Sequence, residues 1–165
     1  MDRASVYSDE LHKLTARLVE PVRSRIQIVA ETDDVAAYYQ SADIAVCTSR
    51  IESFPRVVLE AMASGLPIVT TPVFGIREQV RENVNGFFYK PGDTSELAKR
   101  LCQLIENLDL RRTFGDNSRA VLNSLIGYDE MVERYAEIIK EARFTKGAPY
   151  RPEGQLKERS AVCVV

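Results

Sequence analysis

The stretch S-R-I-E-S-F-P-R-V-V-L-E-A-M-A-S-G-L-P-I-V, Ser49 to Val69, leads from the end of an apolar run into a helix stopped by Gly65 and then into a second apolar run. It carries two glutamates, Glu52 before the helix and Glu60 inside it, with seven residues between them. The helix is otherwise apolar on nearly every side, through Val57, Val58, Leu59, Ala61, Met62 and Ala63. A helix of that kind is expected to be buried, and a lone carboxylate in it needs a partner. Two partners are open: Arg56 one turn earlier, in an i,i+4 contact worth about 0.2–0.5 kcal/mol, or a ligand.

Around this stretch the chain alternates. Ile26 to Ala30, Ile44 to Thr48, Pro67 to Thr71 and Gly86 to Tyr89 read as four short strands, and Ile44 to Thr48 is apolar at consecutive positions, as in a parallel sheet covered on both faces. Helical spacing covers Ser8 to Val19, with Ser8 as N-cap and Pro21 as its end, and Val35 to Ser41, capped from Thr32-Asp33-Asp34. Gly75 to Arg81 is a short helix or turn, and Asn85-Gly86 a turn. From Asp93 the period is helical throughout: Leu97 to Ile105, Leu110 to Leu125, Tyr128 to Ala142. Strands alternating with helices predict an α/β fold, a Rossmann-like parallel sheet with flanking helices and a helical C-terminus. Residues 1–143 are expected to form one domain, and the Pro- and charge-rich residues 144–165 a flexible tail.

Composition narrows the function. At 165 residues and 45% hydrophobic content the chain can build one sizeable core, and its net charge of -2 gives no diffuse positive field for nucleic acid. The three cysteines lack metal-ligand spacing, and Cys47 falls in an apolar run, so a reducing, cytoplasmic setting is expected. Residues 1–30 have no continuous apolar core and no run approaches a membrane span, which leaves peripheral membrane contact open.

In open α/β sheets ligands sit beyond the carboxyl ends of the strands, where helix N-termini present free N–H groups. Ser49 to Arg56 is such a place. Pro55 suits a helix start, having no N–H to lose, and the N–H groups of Arg56 and Val57 are left for an anion. Glu60, one to two turns in, can accept both hydroxyls of a vicinal diol. A phosphate at the helix start and a ribose at the glutamate describe a nucleotide.

These residues resemble the E-x7-E region of retaining nucleotide-sugar glycosyltransferases with the GT-B fold, family 4. The likeness runs from about Val6 to about Leu104 and includes A-D-I-A-V-C-T-S before the motif and G-I-R-E-Q-V-R-E-N-V-N-G-F-F-Y-K-P-G-D after it. It implies that Glu60 binds the donor ribose, that Glu52 lies against the donor sugar as the catalytic-site glutamate, and that Ser53, Phe54, Pro55, Arg56 and Val57 line the sugar and diphosphate. It implies hexosyl transfer from a nucleoside diphosphate sugar to an acceptor hydroxyl, with retention and without a bound metal or other cofactor, because cations and helix N-termini take the leaving charge. Pro55 stands where the family often has glycine. An acceptor-binding N-terminal domain and two further strands are expected to precede this region, so the chain resembles a truncated half of a GT-B donor domain, inactive alone. The two missing strands would lie between those of Val29 and Ile44, which makes residues 6–30 the segment expected to be held least securely.

Other readings weigh less. A receiver-type signalling domain needs acidic strand ends, whereas the ends here are Thr48-Ser49 and Thr70-Thr71. A non-catalytic nucleotide-sugar-binding module is the stronger alternative. Arg50 and Arg56 read as solvated, Gly75 as a residue permitting a turn, His12 as surface, and Cys47 as core without a histidine to activate it.

Overall fold

The computed structural model describes residues 3–144. A helix α1 (Arg3–Ala16) and a short helix α2 (Val35–Ser41) precede strand β1 (Ala45–Cys47). Helix α3 (Arg56–Ala63) leads to β2 (Ile68–Thr70), and the single-turn α4 (Ile76–Gln79) to β3 (Gly86–Phe88). Three helices complete the order: α5 (Thr94–Ile105), α6 (Leu108–Asn123) and α7 (Tyr128–Phe144). Residues 145–165, with most of the expected tail, lie outside the described part.

The three strands form one parallel sheet in the order β1-β2-β3, with Ala45 opposite Ile68 and Ile68 opposite Gly86. The register explains the core. Successive residues of β2 point to opposite faces, so Ile68 joins Cys47, Val58, Ala61, Met62, Ile76 and Val80 under α3, while Val69 joins Phe87, Leu104 and Phe114 under α5 and α6. Phe87 and Phe114 meet edge to face at 5.1 Å between ring centroids. Helix ends follow the sequence. Asp34, Asp93 and Asn107 each cap their helix by accepting from the backbone N–H three residues on.

Four expectations are corrected. Ile26 to Ala30 is not a strand: it pairs with nothing among the described residues, and Ile26, Ile28 and Val29 are exposed. Its β-rich composition is insufficient without a neighbouring strand to take its backbone groups. The strand covered on both faces is β2, not β1, because β1 is the sheet edge and Val46 stays 45% exposed. Ser8 lies inside α1, which begins five residues earlier at Arg3. The turn expected at Asn85-Gly86 lies slightly earlier, over residues 83–85 with Asn83 at φ 60°, and Gly86 already opens β3. Asn85 is also a buried bracket, its side chain donating to the Gln79 carbonyl and accepting from the Arg81 N–H.

The helix carrying Glu60 also differs from expectation. Only Val58, Ala61 and Met62 are buried in α3, while Arg56, Val57 and Ala63 face outward. With β1 at the edge, the flank of α3 on that side is covered only in part, by Tyr39 of α2, so Val57 stays half in solvent. Helix α3 is therefore a rim element rather than a core helix.

Candidate functional site

The loop from Ser49 to Pro55 leaves the carboxyl end of β1 and is tied down by the connection that follows β2. Thr71, buried at the end of β2, donates its hydroxyl to the Ser49 carbonyl. Gly75, just before α4, comes so close to the loop that a Cβ added there would lie 1.6 Å from the Ser53 carbonyl oxygen. Gln79, fully buried at the end of α4, donates its side-chain amide to the Pro55 carbonyl at 3.1 Å. Three residues within one turn-rich segment thus hold the first, middle and last parts of the motif loop.

The seven sequence-expected residues fall on this loop and the first two turns of α3. Glu52 is half-buried and accepts from the Ser49 hydroxyl at 3.0 Å, which orients its carboxylate. Ser53 and Phe54 are exposed and Pro55 is buried. Pro55 is the N-cap of α3 in extended conformation, φ -68° and ψ 127°, and no side chain caps the helix. The first N–H groups of a helix have no intrahelical carbonyl to bond, so those of Arg56 and Val57 present partial positive charge at the loop. Arg50 and Arg56 are exposed.

Glu60 has protein partners. Its Oε1 lies 3.5 Å from the Arg56 guanidinium and its Oε2 accepts from the Tyr39 hydroxyl at 3.2 Å. The Arg56 side chain is 88% exposed and that of Glu60 38%, so their ion pair is screened and weak. The i,i+4 pair expected from the sequence forms, and the carboxylate sits at the surface beside the loop rather than sealed in the core. A mostly apolar cavity of about 240 Å3 between α2, β1 and α3 is lined by Tyr39, Cys47, Val57 and Ala61 among others.

Sequence reasoning missed the supports. Gly75 lies in a turn, as expected, but its φ of -66° is open to any residue, so the Ser53 contact is what requires a glycine there. Gln79 carried a signal, a lone amide between the apolar Ile76 and Val80, both buried here. Tyr39 carried none in its own helix; only the fold brings α2 against α3.

Comparison with known proteins bears on the family and the fold. The model of the family Glycosyl transferases group 1 matches residues 9–121. The N-acetyl-alpha-D-glucosaminyl L-malate synthase of Bacillus anthracis is 31% identical over 71% of this chain and 31% of its own length. A Haemophilus influenzae protein described as an uncharacterized glycosyltransferase is 33% identical over 72% of this chain and 33% of its own length. This chain thus spans about a third of these relatives. Among solved structures, Anabaena HepE in complex with UDP superposes with a TM-score of 0.77 at 28% identity, over 86% of this chain and 38% of that one. The sucrose-phosphate synthase of Thermosynechococcus elongatus shares the fold, with a TM-score of 0.76 at 23% identity over 86% of this chain and 35% of that one.

The Gly75 contact yields a test that needs no ligand. Gly75→Ala places a methyl group against the Ser53 carbonyl and is expected to destabilise the chain by about 1–3 kcal/mol in urea unfolding, the usual cost of overpacking. Gly127→Ala, where an added Cβ meets nothing within 4 Å, is the control and should stay within about 0.5 kcal/mol of the parent. Equal stabilities for the two variants would show that the loop is not held through Gly75.

Proposed function

The chain belongs to the group 1 glycosyltransferases, and we propose that it supplies the donor-binding part of a retaining enzyme that moves a hexosyl group from a nucleoside diphosphate sugar to an acceptor hydroxyl. The observation that carries this reading is the uncapped start of α3 with a half-exposed carboxylate in its second turn. A diphosphate at the loop meets the N–H groups of Arg56 and Val57. The ribose then reaches Glu60, whose carboxylate accepts from its vicinal hydroxyls. HepE was crystallised with UDP and with UDP-glucose on the same fold, which supports a nucleotide-sugar ligand here.

In this reading Glu52 lies against the donor sugar as the catalytic residue, oriented by Ser49, and Ser53, Phe54 and Pro55 form the wall beside it. The departing diphosphate is stabilised by fixed dipoles and cations in place of a metal. Acceptor binding, a preceding domain, cytoplasmic residence and peripheral membrane contact are further parts of the proposal for the whole protein. No helix among the described residues is long and apolar enough to cross a membrane.

Titration of the chain with UDP, GDP and ADP, followed calorimetrically, tests the ligand. Glu60→Ala is expected to remove most of the binding, at least tenfold in Kd, since a charge-assisted pair of hydrogen bonds is lost. Equal affinities of parent and variant would reject the ribose role.

Turnover tests the catalytic part and separates it from a purely binding module. Transfer needs donor and acceptor oriented together, an effect worth roughly 7–11 kcal/mol of a barrier, and these residues offer one wall of such a cleft. No turnover of a nucleotide sugar is expected from the purified chain. Turnover that Glu52→Gln abolishes would overturn this expectation.

A further inference from the structure

We infer that Tyr39 is a positioning residue for Glu60: its phenol holds one carboxylate oxygen and leaves the other, paired only with the exposed Arg56, to the ligand. The inference rests on the ribose role of Glu60 proposed above and extends it to a residue on a different element.

Tyr39 stands on α2, whose start is fixed by the Asp34 cap, and its ring packs against the core cluster under α3. Its hydroxyl lies 3.2 Å from Glu60 Oε2 and 3.3 Å from the Val57 carbonyl. A phenol has one proton to donate, and the carboxylate is the stronger acceptor because it is charged. Burial first, then the hydrogen bond to Glu60 and its negative charge, push the Tyr39 phenol above its ordinary range, so it remains a donor at neutral pH.

The two oxygens of Glu60 are therefore held unequally. Oε2 is held by a half-buried side chain packed against the core cluster, whereas Oε1 has only the long, solvated contact to Arg56, whose side chain is 88% exposed. A vicinal diol can displace Arg56 from Oε1 at little cost and use the remaining lone pair of Oε2. A carboxylate already oriented loses less freedom on binding than one free to rotate, and that saving appears as affinity. Tyr39 itself touches no ligand in this scheme.

The test compares UDP with 2′,3′-dideoxy-UDP, which lacks the diol, on the full chain and on Tyr39→Phe, a variant that keeps the packed ring. UDP should bind Tyr39→Phe about five- to tenfold more weakly than the parent, in line with loss of one hydrogen bond to a charged group. The dideoxy nucleotide should bind both proteins alike. An equal loss for both nucleotides would make Tyr39 a packing residue, and no loss with UDP would remove it from the site; either result overturns the inference and leaves the ribose role standing. If the parent binds both nucleotides equally, or neither, the ribose role itself fails and this inference fails with it.

Discussion

The hydrogen bond from the buried Gln79 amide to the Pro55 carbonyl joins the two halves of the fold that make the site. Pro55 ends the loop from β1 and starts α3, while Gln79 ends α4, which β2 leads into. Held there, the Pro55 carbonyl also accepts from the Val58 N–H and closes the first turn of α3. The direction in which α3 points its free N–H groups follows from that closure. The Asn85 side chain, donating to the Gln79 carbonyl, fixes the other end of the bracket. Ser118 on α6 extends the chain of contacts, donating to the Leu66 carbonyl just before β2. These buried contacts specify one arrangement of loop, helix and sheet, with the Gln79 Oε1 left without a hydrogen-bond partner.

Much of the fold was legible in the sequence because it is local. The helices from Asp93 onward have clear periodicity, the first two behind polar caps at Asp93 and Asn107, and Pro67 to Thr71 reads as the strand that β2 forms. What was not legible depended on neighbours. Ile26 to Val29 has the composition of a strand and no strand to pair with among the described residues. The apolar surface of α3 signalled burial all round, yet it is half uncovered because β1 ends the sheet. A sequence states how apolar a segment is; whether anything covers it is a tertiary fact.

The site divides in the same way. Glu60 could be singled out because it interrupts an apolar helix, and Glu52 because the stretch resembles a known family. The supports could not. Thr71, Gly75 and Gln79 act through contacts 22 to 24 residues away in the chain, and Tyr39 through one of 21. Their identities are ordinary in their own segments. Only the parallel register, which brings the ends of β1 and β2 side by side, turns them into a frame for the motif.

The described surface also offers a rival. A groove of about 320 Å3 between β3 and α5 is lined by Glu82, Lys90, Glu96 and Arg100 among others, and it carries its own ion pairs from Arg100 to Glu82 and Glu96. Those pairs already neutralise its arginine, so it is a poorer anion site than the uncapped start of α3. Amide chemical-shift mapping of the isotope-labelled chain with UDP decides between the two. The account predicts the largest shifts at Ser53, Phe54, Arg56, Val57 and Glu60, with Lys90 to Arg100 unmoved. Largest shifts in that groove, with the Ser53 to Glu60 amides unchanged, would contradict it.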